Sequence, residues 1–233
     1  MHQVEWTPEK IARFWNYYSS NRALDDTYFT KLVGHSIVRF AERRIRLGRV
    51  LDLGCGHGDL IGHLIAKHQV AGADQSSGSV DIVVKRFAND PHFLWAKVGA
   101  ASFPDAAFDT VFIVEVVEHL DDEKLAETLS EARRLLKPGG HLVVTTPNDE
   151  NLDAHKRICP DCGCVFHQMQ HVRSWTAATL APYIERFGFE TAVCEPTLFS
   201  RYRGMKAVLD RLRYGGRKLP HLAYVGHRVS PAV

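Results

Sequence analysis

The sequence predicts an α/β fold in which a parallel sheet is covered by helices on both faces. Two observations predict it. Between residues 49 and 147, short apolar runs alternate with stretches of helical periodicity, the pattern of parallel strands joined by crossover helices. Within that region the run Val50-Leu51-Asp52-Leu53 feeds directly into Gly54, Gly56 and Gly58, and an apolar-periodic stretch follows, which reads as strand, tight turn and helix.

The elements follow in order. Thr7-Pro8-Glu9 is a helix start, with an N-cap hydroxyl, a proline in the first turn and then an acid. It opens an aromatic-rich helix through Ile11–Tyr18, and a second helix is expected over about 26–46. Strands are expected near 49–53, 70–74, 93–98, 109–115 and 141–146, with a helix at 122–137. Beyond them, 174–187 reads as helix, 189–194 and 222–225 as closing strands, and about 200–217 as a basic helix. This divides the chain into an N-terminal helical lid, 1–48, and a main domain, 49–233, with a Cys/His-rich insertion at 149–173.

Composition sets broad bounds. A chain of 233 residues can bury one large core, and 45% apolar and 24% charged residues are ordinary for a globular protein. The net charge of +2 names no partner, but positions 201–228 hold eight Lys/Arg and one acid, Asp210. That stretch could face a phosphate-bearing ligand, an anionic membrane surface or RNA, or form a solvated helix face. No signal-like start and no apolar run of ~18 residues is visible, so a cytoplasmic location is expected. Five cysteines, three of them within 159–164, do not form a disulfide framework.

The glycine turn and Asp74, at the tip of the second strand, suit a nucleoside: bare backbone admits the ligand, and the acid accepts from both ribose hydroxyls. The G-x-G-x-G spacing differs from the dinucleotide fingerprint, and Asp52 would repel a phosphate but receive an ammonium. Four pieces in order, VLDLGCGHGDL, Asp74, FDTVFIVEVVEHL (108–120) and LLKPGGHLVVTTPN (135–148), resemble the class I S-adenosylmethionine (SAM)-dependent methyltransferases. That resemblance implies a Rossmann-like seven-stranded sheet ending in an antiparallel edge, and an N-terminal lid over the cofactor with Tyr17, Tyr18 and Arg22 as candidates. It implies a cofactor cradle of Asp52, Gly54, Cys55, Gly56, Gly58, Asp74, Gln75, Gly99, Ala100 and Glu115. Cys55 reads as a small packing residue rather than a nucleophile. The acid that the family often has after the third strand is replaced by Val98-Gly99-Ala100-Ala101, so adenine recognition is expected from backbone groups.

Glu115-Val116-Val117-Glu118-His119 closes the fourth strand. If a helical turn begins there, two carboxylates and an imidazole share one face, a set suited to a divalent cation that lowers the cost of deprotonating an alcohol. With His171 ahead of Trp175, this pattern resembles metal-dependent O-methyltransferases acting on small-RNA 3′ ends or on ubiquinone intermediates. The match implies a catalytic metal quartet of Glu115, Glu118, His119 and His171. Glu118, His119 and His171 are the candidate catalytic residues, and a histidine that is not a ligand becomes the general base. The alternative is a Glu-His pair that lines the pocket without metal.

Cys159-Pro160-Asp161-Cys162-Gly163 resembles the knuckle of zinc ribbons. Cys164 and His167, or His155, could complete four zinc ligands; the alternative is a reduced, metal-free loop. The expected activity is SAM-dependent O-methylation of a small molecule or glycan bearing neighbouring hydroxyls. The rivals are an RNA 3′-end 2′-O-methyltransferase and a non-catalytic SAM-binding or zinc-stabilised interaction module.

Overall fold

A computed structural model describes residues 1–21, 28–215 and 217–229. Arg22, one of the lid candidates, lies outside the described residues. Strand β1 is His2–Gln3, and helices α1 and α2 are Pro8–Ser20 and Phe29–Glu42. The alternating core follows as β2 (Val50–Leu53), α3 (Asp59–Leu64), β3 (Val70–Asp74), α4 (Ser77–Phe87), β4 (Phe93–Val98), β5 (Phe108–Val114), α5 (Asp122–Leu135) and β6 (Leu136–Pro147). The insertion carries β7 (Lys156–Ile158) and β8 (Cys164–His167), and the chain continues through α6 (Ala177–Glu185), β9 (Phe189–Thr197), α7 (Met205–Arg213) and β10 (His221–Arg228).

The seven-stranded sheet runs in the order β4-β3-β2-β5-β6-β10-β9. Strands β4 to β6 pair in parallel, while β10 lies antiparallel between β6 and β9. Only β10 is therefore reversed, and the edge strand β9 runs with the parallel set. Adjacent residues of the buried strands divide between two cores. Leu51, Val111, Leu142 and Leu222 join α5 and α6 on one face, and Val50, Phe112, Val143 and Ala223 join α2, α3 and α4 on the other. Such strands read as continuous apolar runs because both their faces are dry.

Local chemistry sets the helix ends. The Thr7 hydroxyl accepts from the Lys10 amide at 3.4 Å, and the Asp121 carboxylate accepts from the Lys124 amide at 2.8 Å. Helix α5 has Asp122 and Glu123 in its first turn and Arg133 and Arg134 in its last, complementing its dipole. Leu136 pairs with Phe108, and the ladder resumes at His141 opposite Thr110, so Lys137–Gly140 bulges out with Gly139 at φ +73.

Three placements differ from the sequence expectation. Val33, Ile37, Val38 and Ala41 of α2 are buried in the main core, so only β1 and α1 lie apart as a cap. The basic helix is shorter than expected and exposes an apolar stripe of Met205, Val208, Leu209 and Leu212. The Cys/His insertion forms its own three-stranded sheet, ordered β1-β8-β7, in which the N-terminal strand lies parallel to β8. No helix among the described residues is long and apolar enough to cross a membrane.

Candidate active site

The strand order reverses between β2 and β5, and a ligand crevice opens there at the carboxyl ends of the strands. The glycine turn lies at this point. Its three glycines, all at positive φ, have different neighbours. A Cβ on Gly54 would meet Val116 at 2.5 Å, and one on Gly58 would meet Phe87 at 2.8 Å, so these two permit close packing. A Cβ on Gly56 would meet nothing within 4 Å, so this glycine borders open space. Gly99 borders open space too, and its amide donates to the Asp74 carbonyl at 2.9 Å, which brings the 98–101 loop beside the β3 tip.

The Asp74 carboxylate accepts from the Gly56 amide and the Ser76 amide, both at 2.9 Å. Asp52 is buried at the foot of the turn, and burial, with Asp74 and Asp59 nearby, pushes its carboxyl up to about 8. A nearby cation would favour the charged form and offset that cost. Gln75 is exposed at the β3 tip, and Ala100 is buried behind the loop. Within the turn, the Cys55 side chain packs inward. Its amide donates to the Ala73 carbonyl at 3.0 Å, and its sulfur faces Gly72, where a Cβ would sit 2.9 Å away. Burial pushes its thiol pKa up, consistent with a packing role.

Across the crevice, Glu118, His119 and His171 bring one ligand atom each within 4.8 Å of one another. The turn at 117–119 is closed by the His119 amide donating to the Val116 carbonyl at 3.0 Å. The Val172 amide donates to the Glu118 carbonyl at 2.9 Å, which holds the His171 segment against this turn. Glu118 is 1% exposed; its Oε2 accepts from the Thr146 hydroxyl at 3.0 Å, while its Oε1 has no hydrogen-bond partner. Burial, then repulsion from Glu115, pushes the Glu118 carboxyl well up. Burial, then neighbouring His171, pushes the His119 imidazole down to about 3, and its Nδ1 is also unpartnered. Orphaned buried polar atoms are costly. Glu118 Oε1 lies 3.8 Å from His119 Nε2, and a buried carboxylate beside two imidazoles fits a divalent cation with mixed N/O ligands.

Glu115 does not join this group, which corrects the expected quartet. Glu115, at φ +53, precedes the 117–119 turn and lies outside the group whose ligand atoms are within 4.8 Å of one another. Its carboxylate accepts instead from the Thr145 hydroxyl at 2.8 Å, and burial pushes it up to about 7.

Two residues that the sequence reading missed position this group. Glu150 Oε2 accepts from His171 Nδ1 at 2.5 Å, which leaves Nε2 of a neutral His171 with its lone pair. Gln170, 1% exposed and at φ +59, accepts from the Trp15 indole at 3.0 Å and donates to the His119 carbonyl at 3.0 Å. Trp15 thus sits edge-on to His119 with ring centroids 5.0 Å apart, and Tyr18 donates to the Gln168 carbonyl at 3.2 Å. Tyr17 of the same helix is exposed instead. A signal for Glu150 was available: it follows the end of β6, where parallel strands gather their ligands. A cavity of about 510 Å³ opens on Glu150 and His171, walled by Trp6 and Phe166.

His167 is not a fourth ligand for the cysteines, another correction. It lies three residues along β8 from Cys164, about 10 Å away and on the opposite face of the strand. Its Nδ1 accepts the Met169 amide at 3.3 Å and the His171 amide at 3.1 Å, so its proton sits on Nε2, 3.4 Å from Glu150. Cys159, Cys162 and Cys164 form their own cluster, with their sulfurs within 4.8 Å of one another.

Comparison with known proteins agrees with this architecture. Residues 25–193 match a family profile described as a methyltransferase domain. A probable S-adenosylmethionine-dependent methyltransferase of Mycolicibacterium smegmatis is 33% identical over 170 residues, covering 72% of this chain and 60% of that protein. The O-methyltransferase rstn1 of Aspergillus nomiae is 30% identical over 137 residues, covering 55% of this chain and 57% of that protein. The chain thus spans less than two thirds of the length of these relatives. Among solved structures, the Burkholderia thailandensis 1,6-didemethyltoxoflavin-N1-methyltransferase, with bound 1,6-didemethyltoxoflavin and S-adenosylhomocysteine, superposes with a TM-score of 0.66 at 17% identity, covering 99% of this chain and 94% of that one. With more than half its length inside the family profile, this chain belongs to the class I SAM-dependent methyltransferases.

Proposed function

We propose that this enzyme methylates one of two neighbouring hydroxyls on a small molecule or sugar, assisted by a divalent cation held by Glu118, His119 and His171. The reading rests on one observation: these three side chains converge, and the unpartnered Glu118 Oε1 and His119 Nδ1 are among their buried atoms. Mixed imidazole and carboxylate ligands favour manganese, iron, cobalt, nickel or zinc over an all-oxygen magnesium cage. When bound, such an ion supplies Lewis acidity that favours the alkoxide of the acceptor.

The chain's own residues do the rest. Gly56, Gly99, Asp52 and Asp74 hold the methyl donor at the β2/β5 crevice. Trp15 and Gln170 close over His119 and exclude water. The cavity beside Glu150 and His171 admits the acceptor, with Trp6 and Phe166 offering aromatic walls. Methyl transfer is an in-line displacement, so alignment of the acceptor oxygen supplies much of the rate. Relatives named O-methyltransferases support an oxygen acceptor.

Chelation should abolish turnover of a vicinal-diol or catechol probe, and a divalent ion should restore it. Glu118→Gln should lower kcat by about three orders of magnitude, several kcal/mol of transition-state stabilisation, while S-adenosylhomocysteine affinity stays constant. Full activity in the presence of chelator would overturn the metal reading and leave His171, backed by Glu150, as general base. Salt-sensitive methylation of RNA 3′ ends, with no turnover of small diols, would overturn the acceptor class.

A further inference from the structure

We propose that Cys159, Cys162 and Cys164 hold a structural zinc ion whose fourth ligand is His2. The three sulfurs lie within 4.8 Å of one another, and no other Cys, His, Asp or Glu among the described residues joins them. A tetrahedral zinc with bonds of about 2.3 Å sets its sulfurs about 3.8 Å apart, so only a small adjustment of the thiols is needed. The hairpin that carries them is already formed. The Cys159 amide donates to the Cys164 carbonyl at 2.8 Å, the Gly163 amide donates to the Cys159 carbonyl at 2.9 Å, and Gly163 takes φ +69 to reverse the chain. A structural zinc site needs four ligands, and this hairpin supplies three.

The sheet register supplies the fourth. In the order β1-β8-β7, His2 stands opposite Cys164. The pairing Ile158↔Val165 continues one step to Cys159 opposite Cys164. In-register residues on neighbouring strands share a face, and the strands are about 4.8 Å apart. His2, Cys164 and Cys159 therefore form one cross-strand row, with Cys162 in the turn beyond it. His2 is exposed, so its ring is free to swing toward the sulfurs. His155 and His167 sit at the other end of the hairpin, as the pairing Lys156↔His167 shows.

The consequence reaches the active site. β1 leads directly into α1, which places Trp15 over His119. A zinc ion bridging His2 to the cysteines would fasten this cap to the insertion, because a Cys3His site couples metal affinity to the folding of whatever carries its ligands. The proposal depends neither on the methyl acceptor nor on a metal at Glu118.

The test uses the full, untagged, reduced chain. Elemental analysis should find one zinc equivalent that persists in Glu118→Gln and is lost in Cys162→Ser. His2→Ala should weaken zinc at least ten-fold and alter the d–d and thiolate charge-transfer bands of the cobalt-substituted protein, and His2→Cys should restore tight binding. Because Cys162→Ser could unfold the hairpin, the unchanged chain is also titrated with a thiol-blocking mercurial beside a chromogenic chelator. Zinc release should track modification of three thiols. A folded, reduced chain without zinc would overturn the site. Unchanged affinity and cobalt spectrum in His2→Ala would overturn the fourth ligand.

Discussion

Glu150 takes a 2.5 Å hydrogen bond from Nδ1 of His171, and this leaves Nε2 as the nitrogen open to another partner. Burial opposes the Glu150 charge, but the hydrogen bond from His171 and the adjacent histidines outweigh it and hold the carboxyl below its usual range. A carboxylate in this position orients the ring. Glu150→Gln keeps an acceptor but loses the charge. Steady-state kinetics should show kcat lower by about 10–100-fold, with S-adenosylhomocysteine affinity by calorimetry unchanged. An equal loss of cofactor affinity would place Glu150 in the donor site instead.

The glycine turn offers a matched pair of substitutions. Gly56→Ala and Gly58→Ala share the strain of positive φ, about 1–2 kcal/mol for a non-glycine residue. Only Gly58→Ala also meets Phe87 at 2.8 Å and Val83 at 3.0 Å. Thermal unfolding should therefore show the larger loss for Gly58→Ala. Calorimetry should show that Gly56→Ala, whose methyl enters the open cradle, weakens the cofactor more relative to its stability cost.

Thr146 is fully buried and donates to Glu118 Oε2 at 3.0 Å. Thr146→Val keeps the shape and removes the donor. The buried carboxyl then loses its partner, and denaturant unfolding should report a loss of about 1–3 kcal/mol. A neutral result would mean that Glu118 stays protonated and finds another partner.

His221, which is not among the proposed metal ligands, gives a pH dependence of its own. Its Nδ1 accepts the Phe199 amide at 3.1 Å, and burial pushes its imidazole down to about 4. The unfolded chain, with an imidazole near 6.5, then binds more protons between those values. The stabilisation is fully present above about 6.5 and is lost as pH falls toward 4, up to about 3 kcal/mol. The stability gap between the native chain and His221→Gln should therefore shrink as pH falls from 7 to 4. A constant gap would mean that His221 titrates normally.

What the sequence by itself determined is the sheet and its glycine turn. Continuous apolar runs such as Val111–Val114 can be buried only on both faces, and the helices between them leave a parallel arrangement as the solution. Gly54, Gly56 and Gly58 were legible because positive φ restricts the residue type locally.

Only the tertiary structure decided how the site residues divide. Glu115 takes φ +53, and periodicity carries no information about one left-handed residue or about where its side chain then stands relative to Glu118. His167 and Cys164 are close in sequence, yet an extended strand separates them and turns them to opposite faces, whereas His2 and Cys164, more than 160 residues apart, are in register. Glu150 and Gln170 gained their roles from the return of the insertion to Trp175, where the Asp149 amide donates to the Trp175 carbonyl at 2.6 Å. Local sequence fixes secondary structure through near-neighbour sterics and burial. The pairing of distant side chains depends on how loops close and strands register, and those contacts exist only once the chain has folded.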